Sequence, residues 1–188
     1  MTNFDKVYKY YDRFMNMFKL FKLDEVKAAA DLNKNDVVVD IGGGTGRLAE
    51  YICNCCNAVY ILDESEKMLS KAGNIENVIK VKGNALAAPF ENDSIDTVIL
   101  CDVFHHIKEQ RLLLIEISRI LKKGGKIVLL DFHKKHIKTR LLIGFEFILF
   151  QKLFFRTKDE IKLLLGECFN IRKFYDKHYY CIFVGEKK

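Results

Sequence analysis

Proline is almost missing from this 188-residue chain; the single copy is Pro89. No stretch is rich in proline, serine or glutamine and no internal repeat is visible, which excludes a linker-like or low-complexity organisation. The opening residues, MTNFDKVYKYYDRF, lack the apolar core of a signal peptide. The longest apolar run, Leu141 to Phe150, contains Glu146 and falls short of the ~20 residues that span a bilayer. Both absences point to a cytoplasmic protein. The six cysteines have no second Cys or His pair at zinc-finger spacing, so no metal is expected and a reducing compartment is. The clustered Cys53, Cys55 and Cys56 read as small packing residues near a helix end.

What is present is a globular composition, 49% apolar, in a length that suits one domain spanning 1–188. The net charge of +6 is uneven. Residues 1–121 carry 15 Lys and Arg against 18 Asp and Glu, whereas residues 122–188 carry 16 against 7. A basic C-terminal third either faces an anionic partner or is a solvated lysine-rich surface.

Periodicity then divides the chain. Phe4, Val7, Tyr11, Phe14, Phe18 and Phe21 recur at steps of three and four, the stripe of a helix lying on the domain, so residues 1–30 read as a helical cap. Val37–Ile41 is β-branched and continuous, a strand buried on both faces. A helix over about 46–55, a strand over 58–62, a short helix capped by Ser65 and running to about Ala72, and a strand over 78–81 follow. Next come a strand over 97–101, a helix over about 108–121, the Gly124-Gly125 break, and a strand over 126–132. Strand and helix alternating in this way predict a Rossmann-like α/β fold with a doubly wound parallel sheet. Helical patterns fill about 138–155 and 158–166, the second opened by the capping box Thr157-x-x-Glu160. Residues 171–175 and 179–184 form two last strands. Their three-residue link forces an antiparallel hairpin, because a parallel crossover needs a dozen residues or more.

Ligands of open α/β sheets bind beyond the carboxyl ends of the strands, so the loop in VVVDIGGGTG is the leading candidate site. Two registers compete there. GTGRLA, from Gly44 to Ala49, fits the G-x-G-x-x-A form of a dinucleotide fingerprint, which would make the protein an NAD(P)-dependent oxidoreductase. But a fingerprint should begin as the strand ends, and the register that does so is Asp40-x-Gly42-x-Gly44-x-Gly46.

That pattern resembles the first motif of class I S-adenosylmethionine-dependent methyltransferases. Asp63 ends the second strand in ILDESEKML, where an acid can accept hydrogen bonds from both ribose hydroxyls. The segment KGNALAAPFENDSIDTVIL is similar to the family's G-D-A-x-x-L-P-F-x-x-x-x-F-D-x-V, with Asn84 for Asp and Ile95 for Phe. Asn84 keeps a carbonyl acceptor for an adenine amino group and loses the charge. The stretch from Asp102 to Ile107 is similar to the family's "HH-hydrophobic" segment, and LKKGGKIVLLDF to its L-K-P-G-G turn and fifth strand, with Lys123 for Pro. Within the class the chain resembles most the ubiquinone/menaquinone-biosynthesis (type 11) group, whose entry helix FDKVYKYYDRFMN matches. The resemblance implies seven strands and S-adenosylmethionine as cofactor. It places Asp40, Gly42, Gly43, Gly44 and Gly46 at the amino-acid end, Asp63 at the ribose, and Gly83, Asn84 and Ala85 around the adenine. Glu64 and Met68 are cofactor-binding too, and Cys101 would offer its backbone carbonyl to the methionine amino group. Tyr11 either closes over the methionine end or is one more residue of the stripe.

Methyl transfer from a sulfonium is an in-line displacement in which the protein mainly positions donor and acceptor. A weak acceptor also needs its proton removed. His105, His106 and His133 are the base candidates, with Asp102 and Asp131 as orienters. His105 and His106 are adjacent, so their side chains point about 100° apart and both rarely enter one pocket. The Phe- and Leu-rich insertion over 137–157, with its basic neighbours, is a lid for an apolar or aromatic, quinol- or lipid-like acceptor, a peripheral membrane contact, or a buried helix. Nucleic acid ranks low: the stretch after the fourth strand reads CDVF, not [N/D]-P-P-[Y/F], and no Pro-Cys nucleophile exists. A cofactor-binding protein without chemistry stays open as an alternative. The oligomeric state is open as well.

Overall fold

The computed structural model describes residues 22–132, Gly144 and residues 152–188. The expected N-terminal stripe, Tyr11 within it, His133 and most of the insertion lie outside them. Seven strands form one sheet: β1 (Val37–Ile41), β2 (Ala58–Asp63), β3 (Val78–Lys82), β4 (Ile95–Cys101), β5 (Leu121–Phe132), β6 (Phe169–Asp176) and β7 (Tyr180–Lys187). Their order is β3-β2-β1-β4-β5-β7-β6. β1 to β5 pair in parallel, and β7 runs antiparallel between β5 and β6. The expected doubly wound sheet with a terminal antiparallel pair is therefore present.

The central strands are continuous apolar runs because both faces are covered. On one face Val38, Val59, Ile61, Ile99 and Val128 pack under α1 (Leu23–Ala30) and α2 (Arg47–Ile52). On the other, Val39, Ile41, Val98, Leu100 and Ile127 pack under α4 (Gln110–Ile120) and α5 (Lys158–Cys168). Each fully buried aliphatic side chain contributes about 1.5–3 kcal/mol. The short helix between β2 and β3 is α3 (Glu66–Leu69), and Ser65 caps it as expected, accepting Met68 N–H at 3.2 Å. It stops before Ala72.

Other boundaries differ from the sequence reading too. The helix after the glycine loop breaks into α2 and a 3-10 turn, Cys53–Cys55. Cys53 and Cys56 are buried beside it, with Cys53 Sγ–H donating to Glu50 O at 3.1 Å. β5 begins at Leu121, five residues earlier than the glycine pair suggested. There Ile95 pairs with Leu121 and Thr97 with Lys126, so residues 122–125 bulge out between two ladder partners. Gly124, at φ 76°, supplies the left-handed residue that the bulge needs. In the terminal pair the strands extend to Asp176 and start again at Tyr180, which shifts the link to residues 177–179. α5 opens on the full capping box: Thr157 Oγ1 accepts Glu160 N–H, and Glu160 accepts Thr157 N–H at 2.7 Å.

Candidate active site

The strand order changes direction between β1 and β4, so their carboxyl ends splay apart and leave a crevice. A cavity of about 370 Å³ fills it, within the usual range for small-molecule sites. Along the sheet edge its wall is laid down strand by strand: Gly83, Asn84 and Ala85 after β3, Asp63 and Glu64 after β2, Asp40 and Gly42 to Arg47 (Gly46 excepted) around β1, and Cys101 to Val103 after β4. Met68, His106, Ile107, Lys108 and Leu23 line it as well.

The glycine loop has its shape for steric reasons. Gly42, Gly44 and Gly46 all have positive φ, at 69°, 53° and 79°. A Cβ on Gly42 would lie 2.3 Å from Val103 Cγ2, and one on Gly43 only 2.4 Å from Asp40 Oδ2. Gly46 does not reach the cavity. It caps α2 from the left-handed region and lets the helix pack against Ile61 and Ala72.

Two acids meet the loop. Asp63 accepts Gly44 N–H at 3.0 Å through one oxygen and Ser65 N–H at 2.8 Å through the other. The loop and α3 thus hold its carboxylate at the cavity wall. Asp40 lies beneath Gly43, 2% exposed, with Oδ2 lacking a hydrogen-bond partner. Burial, and then the charge of Asp63, push its pKa up to about 8. Asn84 lines the cavity, but its Oδ1 accepts Leu86 N–H at 2.7 Å and caps the 3-10 turn Ala85–Ala87. The acceptor assigned to an adenine amino group is thus already engaged.

The two histidines separate. His106 lines the cavity; burial, then neighbouring His105, hold its pKa well below the usual histidine range, so the ring is neutral. His105 is fully buried behind the wall. Its Nδ1 is 2.7 Å from Asp131 Oδ1, its Nε2 is 4.0 Å from Asp102 Oδ1, and Phe155 stacks on it at 3.9 Å. These three residues bring metal-capable atoms within 4.8 Å of one another. The two ring nitrogens lie on opposite sides of the imidazole, however, so the arrangement is a chain of acid, imidazole and acid rather than a shared pocket. Cys101, half-buried, keeps its thiol well above the ordinary range because of burial and then the charges of Asp102, Asp40 and Asp131.

Sequence reasoning did not assign Leu23, Thr45, Arg47, Ser65, Leu86, Val103, Ile107 and Lys108 to the wall. Thr45, Arg47 and Ser65 were within reach as neighbours of motif residues. Leu23, Ile107 and Lys108 carry no local signal.

The residues fit an adenosine-based cation with an amino-acid tail. A loop that no side chain could occupy leaves backbone open to the tail, an orphaned buried carboxylate oxygen awaits a donor, and a fixed acid stands one strand away for a ribose. Sheet order, glycine loop and second-strand acid together define a class: an enzyme that takes a methyl group from S-adenosylmethionine. A family model described as a methyltransferase domain matches residues 39–129. Demethylmenaquinone methyltransferase from Staphylococcus aureus (strain JH9) is 30% identical over 183 residues, covering 89% of this chain and 76% of that protein. Two solved structures share the fold. One, from the complex between the Haloferax volcanii Trm112 methyltransferase activator and a methyltransferase, has a TM-score of 0.87 at 17% identity, covering 100% of this chain and 98% of that one. The other, an S-adenosylmethionine-dependent methyltransferase from Thermotoga maritima, has a TM-score of 0.80 at 21% identity, with 99% of each chain covered. The chain belongs to the class I S-adenosylmethionine-dependent methyltransferases, in the type 11 group. Its cofactor is S-adenosylmethionine, and the dinucleotide register in GTGRLA is displaced.

Proposed function

We propose that this methyltransferase acts on a small apolar or aromatic acceptor of the quinol type. The observation that carries this reading is the part of the cavity lining that the cofactor assignments leave unused. There Leu23, Val103 and Ile107 supply an apolar surface, and His106 supplies a neutral imidazole. The relatedness to a demethylmenaquinone methyltransferase supports the same acceptor class. In the same reading the chain works as one domain.

When bound, S-adenosylmethionine supplies a methyl group already activated by its positive sulfur. The loop Gly42–Gly44 receives the amino-acid tail, with Asp40 below it and the Cys101 carbonyl beside it. Asp63 takes the ribose. Gly83, Asn84, Ala85, Glu64 and Met68 frame the adenine. His106, facing the acceptor, takes its proton as the acceptor's electron pair forms the new bond to carbon. The bound sulfonium would supply the methyl carbon for that bond, with the carbon–sulfur electron pair leaving on sulfur. His105 supports His106 from behind.

Calorimetric titration with S-adenosylmethionine, S-adenosylhomocysteine and NADH tests the cofactor site; binding of the first two and not the third is expected. Methyl transfer to a reduced prenyl-1,4-naphthoquinone, followed by mass, tests the acceptor. Turnover of amines with none of quinols or phenols would overturn the acceptor class.

A further inference from the structure

Asp102 occupies an unusual place. It follows β4 directly and lines the cavity. Its backbone is left-handed, φ 61°, one of three described non-glycine residues with positive φ. Its N–H donates to Leu130 O at 3.1 Å, which ties that turn to β5. It is 9% exposed, on the cavity wall, and the buried chain of His105 and Asp131 stands behind it. Asp131 is fixed in turn, because its Oδ1 also accepts Phe132 N–H at 2.7 Å. The chain holds two acidic groups to one imidazole, and negative charge on Asp102 is the part of it that borders the cavity. Placed in a low-dielectric wall, that charge acts on the cavity more strongly than it would in water.

The sheet order decides what meets it. With its adenosine held at the ends of β3 and β2, the donor would bring its sulfur toward the ends of β1 and β4, which carry Asp40 and Asp102. The methyl donor is a sulfonium there and its demethylated product is a neutral thioether. We propose that Asp102 is a specificity-determining residue that distinguishes charged donor from neutral product, favouring entry of the first and release of the second. The proposal rests on the methyl-donor reading of the cavity.

The test compares three ligands: S-adenosylmethionine, S-adenosylhomocysteine, and sinefungin, which carries an ammonium group in place of the sulfonium methyl. Two variants remove the charge while keeping the backbone, since Asn and Gly both accept positive φ: Asp102→Asn and Asp102→Gly. Each is checked for its thermal melt and titrated by calorimetry. Either variant should lose about tenfold in affinity for S-adenosylmethionine and sinefungin. Affinity for S-adenosylhomocysteine should stay within about twofold, and Asp102→Glu should keep the preference. An equal loss for all three ligands, or no change in any, would overturn the proposal while leaving the cofactor assignment intact. Failure of the unaltered protein to bind all three would overturn both.

Discussion

Asp40 stands inside a strand that is otherwise Val and Ile, and the cavity explains why an acid is kept there. Its carboxyl is raised from 3.8 to about 8 by burial and by Asp63. For an acid whose folded pKa lies above its unfolded one, folding takes up a proton between the two values. The stabilising contribution is fully present below pH 3.8 and is lost as pH rises through about 8, at ~1.4 kcal/mol per unit. Urea unfolding of the ligand-free protein across that window should therefore show stability falling relative to Asp40→Asn as pH rises. A constant difference between the two proteins would count against the shift. At Asp63 the expected effect is on the ligand. Asp63→Ala removes the acceptor for two backbone N–H groups and, in the proposed reading, for a ribose. Donor affinity should fall by about 1–3 kcal/mol in calorimetry. These residues were legible in the chain, because a glycine needed for positive φ and an acid ending a strand are local properties. The engagement of Asn84 Oδ1 by Leu86 was not, since nothing in the sequence shows which backbone N–H the amide will meet.

Among the elements, Gln110 is one of the links between the segment before α5 and the site. Gln110, 1% exposed at the start of α4, donates to Phe104 O at 3.0 Å and to Phe154 O at 2.9 Å, and accepts Arg156 Nε–H. Phe154 N–H donates to His105 O at 2.7 Å. The segment before α5 is thereby tied to the histidine turn. Gln110→Ala takes a donor from Phe154 O and the acceptor from Arg156 Nε–H, while Phe104 O keeps Ile107 N–H, and should cost about 1–3 kcal/mol in denaturant unfolding. Amide exchange at Phe154 should quicken more than exchange within β1. Replacement without loss of stability would show that water takes over these bonds. The sequence pattern identified α4 and α5 by their apolar period and capping box, yet it held no sign of Gln110, whose partners lie six and 44 residues away. The early start of β5 was hidden for a similar reason. Gly124 and Gly125 read as a break, but strand pairing runs past them through a bulge.

For the molecule as a whole, the site is assembled from the ends of four parallel strands, so a ligand bridging them should stabilise the entire sheet. S-adenosylhomocysteine at about 100 times its Kd should add about 2.7 kcal/mol. At about 2–4 °C per kcal/mol for a domain of this length, that raises Tm by roughly 5–10 °C. NADH at the same concentration should leave Tm unchanged. A shift with NADH alone would reverse the cofactor assignment. Among the described residues no helix is long and apolar enough to cross a membrane.

By itself the sequence determined the alternation of strands and helices, the glycine loop and its register, and the acid after the second strand. All of these follow from backbone sterics and from periodic burial within a few residues. Only the tertiary structure decided that His106 faces the cavity while His105 turns back to Asp131, and that Asp102 stands between that pair and the methyl donor's place. It also decided that Leu23, Ile107 and Lys108 line the same cavity. Those outcomes depend on the order in which strands pair, β4 beside β1 and β5 beside β4, which brings residues distant in the chain to one edge of the sheet. Side-chain type and spacing carry no record of that pairing, because it is settled by the packing of helices on both faces.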